Sequence, residues 1–191
     1  MNELKIFLDR LSPLSTASWE KFSNLFTVKT LTKGEFYIRE GQMAKEIGFL
    51  NSGILRAFYQ SEDGIEYNKH FFIPHCFIGG YASLTSKKTN VINQQALTDC
   101  ELLVANYADI EKLYPSFPDI ERISRLLAEQ FFIQKEQREI EIVLMDSEQR
   151  YKIFQKDFPS LEQHIPQYHI ASYLGITPTQ LGRIRRKIAK R

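Results

Sequence analysis

The sequence predicts an α+β fold: an antiparallel β-roll of the jelly-roll kind with flanking helices, one long helix, and a C-terminal helix-turn-helix lacking a full wing. Three observations predict it. Short β-branched and aromatic runs with regular glycine punctuation fill the chain from Thr27 to about Tyr107. Apolar and glutamine positions then recur at alternating spacings of 3 and 4 from Ile123 to Leu144. Finally, Gly175-Ile176-Thr177-Pro178 joins two short helical patterns as a tight corner does. The expected domains are 1–115 for the roll with its N-terminal helices, 116–145 for the long helix, and 146–191 for the helix-turn-helix.

Each element has its own reason. Leu4, Phe7, Leu8 and Leu11 share one helical face, and Ser12-Pro13 ends that helix. Trp19, Phe22, Leu25 and Phe26 mark a second helix, and both are too short to stand alone. Ile54 to Tyr59 reads as a strand; Asp63-Gly64 then turns the chain into Glu66–Phe72, a hairpin signal. Turn signals recur through this region and predict seven or eight strands. Ser116-Phe117-Pro118-Asp119 fits a capping box and predicts the long helix's start. That helix presents two apolar stripes. Ile120, Leu127 and Phe131 face the roll, and Ile123, Leu126, Gln130, Ile133, Gln137, Ile140 and Leu144 are expected to meet a second copy of the chain. Asp146-Ser147-Glu148-Gln149 opens another helix, which should stop at Phe158-Pro159.

Composition excludes several classes of function. Cys76 and Cys100 are too few for a disulfide framework or a four-cysteine iron–sulfur or zinc site. No run approaches the roughly 20 apolar residues of a membrane span, and Met1–Arg10 lacks a signal peptide's apolar block, so the expected compartment is the cytoplasm. No G-x-S-x-G, P-loop or HExxH pattern occurs, which argues against an enzyme. Cys76 and His70 read as core residues, not as ligands. The net charge is only +2, but it is unevenly spread. Residues 163–191 hold no acid and six bases, which leaves 19 bases and all 23 acids in residues 1–162. A mildly acidic body with a basic C-terminal end suggests a polyanion partner.

The C-terminal segment carries the functional argument. Pro166 suits a first helical turn, Ile170, Ala171 and Leu174 mark an inner face, and Gly175 supplies a left-handed terminus. Thr177 followed by Pro178 starts the next helix, whose inner face is Leu181, Ile184 and Ile188. Thr179, Gln180, Arg183, Arg186 and Lys187 then point outward, a set suited to the major groove of double-stranded DNA. Tyr168, His169, Lys187 and Lys190 are the candidates for positioning the module on phosphates, and Thr177 stands with them among the expected DNA-binding residues. The alternative reading is a ligand-binding or protein-interaction module whose basic tail has no defined operator.

With those residues in view, nearly the whole chain resembles the Crp/Fnr superfamily of bacterial transcription regulators, and in particular short members found in Bacteroidetes. Lys33-Gly34-Glu35 through Arg39-Glu40-Gly41 resembles the opening of the cyclic-nucleotide-binding β-roll. Asn51-Ser52-Gly53-Ile54-Leu55-Arg56 resembles the next turn and strand, and Cys76-Phe77-Ile78-Gly79-Gly80 the approach to the phosphate-binding cassette. His169 to Pro178, with Leu181-Gly182-Arg183-Ile184, is the most specific match. The resemblance implies a homodimer joined along the long helix, with a hinge near Asp146. It further implies DNA half-sites about 34 Å apart, and RNA polymerase and a small-molecule effector as further partners.

The departures from the family pattern carry equal weight. Cyclic-AMP-binding members place a glutamate after the cassette glycine and an arginine–serine pair further on; those positions here are Gly80, Asn90 and Val91. A buried phosphate needs charge-assisted donors, so cyclic AMP is not expected to bind and no cofactor is expected. An unknown effector would contact Gly79, Gly80, Tyr81, Ser83, Asn90 and Gln94. At the DNA end Pro178 and Thr179 replace the family's arginine and glutamate, so Arg183 alone carries over as a base reader.

Overall fold

The computed structural model describes residues 1–189. Two short helices open the chain, α1 (Asn2–Leu11) and α2 (Thr16–Ser23). Eight strands follow: β1 (Thr27–Leu31), β2 (Phe36–Ile38), β3 (Glu46–Ser52), β4 (Leu55–Gln60), β5 (Glu66–Phe72), β6 (Cys76–Ile78), β7 (Asn93–Ala96) and β8 (Cys100–Asn106). Helix α3 (Tyr81–Ser86) interrupts them after β6, and α4 (Tyr107–Glu111) closes them. Next come the long helix α5 (Pro118–Leu144), α6 (Ser147–Asp157), one 3-10 turn (Leu161–Gln163), α7 (Gln167–Leu174) and α8 (Pro178–Ala189).

The strands form two four-stranded sheets, ordered β1-β8-β3-β6 and β2-β7-β4-β5. Pairing of β8 with β1 and β3, of β3 with β6 and of β2 with β7 is antiparallel. Period-2 alternation sends Leu102 and Val104 into one buried layer and Leu103 and Ala105 into the other. The first layer joins Leu31, Leu50, Leu55 and Ile78. The second joins Phe49 and Phe77 to Leu4 and Leu8 of α1, Phe22 of α2, and Ile120, Ile123 and Leu127 of α5. The N-terminal helices thus gain from the roll the burial that their length denies them.

The chain packs as two compact units, 1–57 with 71–132 and 58–70 with 133–191. This differs from the expected boundary at Asp146: the division falls inside α5, and the tip of the β4–β5 hairpin goes with the C-terminal residues. The second unit has an aromatic core in which Phe154 meets Phe158 and Tyr173 at ring separations of 5.5 and 5.7 Å. Leu161, Ile165, Ile170, Leu174 and Leu181 are buried with it.

Two sequence expectations are corrected by the packing. Ser116 does not cap α5. Instead Asp119 accepts hydrogen bonds from the Ser15 backbone N–H at 3.0 Å and from Ser18 Oγ at 2.7 Å, which ties the start of α5 to the start of α2. A long-range partner outcompeted the local one. Ile123, assigned to the interface between copies, lies instead in the roll's own core beside Ile120 and Leu127. At Asp146 the predicted capping box is present: its side chain accepts from Gln149 N, and Gln149 Oε1 accepts from Asp146 N.

Candidate nucleic-acid interface

Helices α7 and α8 are set by their ends. Gly175 takes φ +67°, the left-handed conformation that lets α7 stop without a Cβ penalty. Thr177 then starts α8. Its Oγ accepts from Gln180 N at 3.2 Å, and Gln180 Oε1 accepts from Thr177 N at 2.9 Å. This is a full capping box, with Pro178 at the first helical position. Sequence reasoning made Gln180 a base reader; the structure gives its side-chain oxygen to the cap.

Leu181 is fully buried, and Thr179, Arg183, Arg186 and Lys187 lie exposed along α8. The exposed Tyr168 joins them from α7. His169 does not. It is buried, with Nδ1 3.3 Å from Asn68 Nδ2, so its assignment to phosphate contact is corrected. Alternation around α7 puts residues 169, 170 and 173 inward, and a polar residue among them can be legible only once its partner is known.

The basic face is less open than the sequence implies. Lys187 Nζ lies 2.6 Å from Glu148 Oε2, and Arg185 Nη2 lies 2.6 Å from Glu162 Oε2. Tyr151 also donates to Glu162, at 2.9 Å, and Lys152 shares Glu148 at 3.2 Å. Burial, followed by the Glu162 carboxylate, pushes the Tyr151 hydroxyl up to about 12. Segment 163–191 holds no acid, but Glu148 and Glu162 fold against it from just outside. Lys190 and Arg191 lie outside the described residues.

Further residues, missed in the sequence, hold α7. Arg138 donates to the Tyr173 carbonyl, stacks 3.9 Å above the Tyr173 ring and pairs with the buried Glu141 at 2.9 Å. Arg150 donates to Met145 O at 2.7 Å and Leu174 O at 3.1 Å, joining the ends of α5 and α7. Both arginines bond to helix-terminal carbonyls, which have no partner of their own inside the helix. Nothing in the local sequence marks their contacts to α7, because Tyr173 and Leu174 lie 35 and 24 residues away.

In the roll, Ser83, Asn90 and the Gln94 amide nitrogen serve the protein's own backbone, whereas Gln94 Oε1 is buried without a hydrogen-bond partner. Ser83 Oγ donates to Lys88 O at 2.5 Å and accepts from Ala44 N at 3.1 Å. Asn90 Nδ2 donates to the carbonyls of Ile92 and Arg39, and Gln94 Nε2 to Gly79 O at 2.8 Å. Tyr81 packs on Tyr107. A Cβ at Gly80 would sit 3.1 Å from Asn90 Oδ1 and from Ala44 Cβ, so a longer side chain there needs its neighbours to move. Val91 is exposed. Lys87 reaches Glu111 at 3.4 Å. The buried Arg56, another residue the sequence reading passed over, donates through Nε and Nη2 to Gln95 Oε1 at 3.1 and 2.7 Å. Burial pushes the Cys76 thiol up to about 12, which favours its protonated form.

The fold thus combines a β-roll of two four-stranded sheets with a helix-turn-helix whose second helix exposes Thr179, Arg183, Arg186 and Lys187. Residues 28–116 match the cyclic nucleotide-binding domain family. The anaerobic regulatory protein of Bacillus subtilis (strain 168) is 24% identical over 112 residues, which make up 59% of this chain and 47% of that relative. The chain thus spans about half the length of the curated relative it matches. Among solved structures, FixK2 from Bradyrhizobium japonicum aligns with a TM-score of 0.77 at 16% identity, over 86% of this chain and 85% of that one. A Crp/Fnr-family transcriptional regulator from Eubacterium rectale aligns with a TM-score of 0.74 at 17% identity, over 99% and 88%. The chain thus carries a cyclic nucleotide-binding domain over residues 28–116 and shares the overall fold of these solved structures. No helix among the described residues is long and apolar enough to cross a membrane.

Proposed function

We propose that the chain is a cytoplasmic, homodimeric transcription regulator that reads a two-fold-symmetric DNA site through α8, and not an enzyme. The observation that carries this reading is the α7–Gly175–α8 corner, capped at both sides of the turn, with Thr179, Arg183 and Arg186 exposed on the second helix. Arg183 is the base reader, with the geometry to pair with guanine O6 and N7. Tyr168 and Thr177 approach phosphates, and Lys187 joins them in so far as its pair with Glu148 opens. The dimer forms along the second half of α5, where Ile133, Ile140, Val143 and Leu144 are exposed apolar side chains. Two relatives named as regulators support the reading.

The roll acts without cyclic AMP. Gly80 offers no carboxylate for a ribose, Asn90 is engaged by backbone carbonyls, and neither it nor Val91 offers a cation for a cyclic phosphate. Titration calorimetry with cyclic AMP is expected to show no micromolar binding; a micromolar site would overturn this part.

Selection of bound duplexes from a random pool, followed by anisotropy on the winner, tests the main reading. An enriched palindrome is expected, and Arg183→Ala should weaken it by about 1–3 kcal/mol while relaxing one base position. Failure to enrich any sequence, or equal loss from Arg183→Ala on selected and random DNA, would turn the reading toward a basic tail without an operator.

A further inference from the structure

We propose that the β4–β5 hairpin is part of the DNA-reading machinery, through a latch in which Asn68 and Ser172 act as positioning residues for α7. This inference rests on the DNA-reading function proposed above and names a device within it.

The latch joins a strand at a sheet end to a helix. Among the described residues β5 lies at the end of its sheet, where its outer edge can meet a helix instead of a strand. Residues two apart on a strand direct their groups to the same side, and here Glu66 and Asn68 are bridged by one hydroxyl. Ser172 Oγ donates to Glu66 O at 2.8 Å and accepts from Asn68 N at 3.0 Å. In return the Asn68 side chain donates to the His169 carbonyl at 3.1 Å and lies 3.3 Å from His169 Nδ1. Strand and helix are thus joined by four contacts of hydrogen-bond length. Asn68 is only 1% exposed and His169 4%, so breaking the latch strands buried polar groups.

The placement makes this more than a local contact. Residues 58–70 pack with 133–191, while the same strands continue into Leu55–Ala57 and Phe71–Phe72 with the roll. The hairpin is therefore a covalent arm from the roll whose tip holds the helix that supports α8. Ring contact between His70 and Phe158, at 5.7 Å, adds apolar packing to the same arm. The latch also leaves the reading face clear, since Tyr168, Thr179 and Arg183 remain exposed while it is closed. The latched form is thus the DNA-reading form, and the latch fixes where each α8 stands when two half-sites must be met together.

The test compares the full-length chain with Asn68→Ala, Ser172→Ala and Ser172→Thr. Each is titrated on the selected palindrome and on a duplex carrying one half-site, after thermal melts confirm folding. The alanine variants should lose tenfold or more on the palindrome and stay within twofold on the half-site, because one helix-turn-helix alone does not depend on spacing. Ser172→Thr keeps the hydroxyl and should restore binding to within threefold. Wild-type affinity in the alanine variants, tighter binding, or equal losses on both duplexes would overturn the latch as a positioning device. Amide exchange separates this from failure of the parent reading. If the wild type selects no DNA, that reading fails. The latch itself then stands or falls on whether the alanine variants exchange faster than wild type across 170–174.

Discussion

Among individual residues, His70 shows how packing sets chemistry. Burial, with Lys69 and Arg138 nearby, holds its imidazole down at about 4, so the folded protein keeps it neutral. In the unfolded chain it takes up a proton near the ordinary value of about 6.5. Stability from neutral His70 is therefore complete above about pH 6.5 and is lost as pH falls toward 4. The urea midpoint of the wild type should fall across that window, and His70→Gln should flatten the fall. An equally steep fall in the variant would assign the dependence to other groups. Its ring meets Phe158, and that His70 is a packed histidine was legible from its aromatic neighbours in sequence. The partner of His169 was not, because Asn68 lies 101 residues away. Gln180 was half legible: its place three residues after Thr177 marks a capping box, but an exposed glutamine on a reading helix has two plausible uses, and geometry alone chose one.

Among the elements, α5 is the most instructive. Its spacing of 3 and 4 was visible throughout, and so was the presence of two apolar stripes. Spacing cannot say where one stripe stops being core. The roll covers Ile120, Ile123 and Leu127 in the first half, and leaves Ile133, Ile140, Val143 and Leu144 exposed in the second. Two substitutions separate these roles. Ile123→Ala should cost about 2–5 kcal/mol in chemical unfolding, as buried aliphatic truncations do, and leave the oligomeric state unchanged. Ile140→Asp with Leu144→Asp should leave the isolated fold intact and convert the proposed dimer to monomer in sedimentation equilibrium. A stable dimer in the double variant would place the interface elsewhere. The strands and their turns were legible because glycine and Asp-Gly punctuation is local. The start of α5 was misread for the converse reason, since Asp119 bonds to α2 and not to Ser116.

For the whole molecule the charge asymmetry was legible and its pairing was not. Six bases crowd the last residues, yet Lys187 is held by Glu148 and Arg185 by Glu162. These pairs set how much of the basic end can answer to phosphate. Glu148 already faces two lysines, Lys152 and Lys187, and both pairs stay partly exposed, so each is weak enough to be exchanged for a phosphate. Glu148→Gln should release Lys187 in both copies of a dimer. Counterion release then predicts a salt dependence steeper by about 2 in the slope of log affinity against log salt, from one extra phosphate contact per subunit. The gain should be equal on selected and random duplexes, since phosphates carry no sequence information. Lys187→Ala in the same background should remove it. An unchanged slope in Glu148→Gln would mean that Lys187 stands outside the phosphate track. The electrostatic contact would then rest on Arg183 and Arg186, the cations α8 exposes without an ion pair among the described residues.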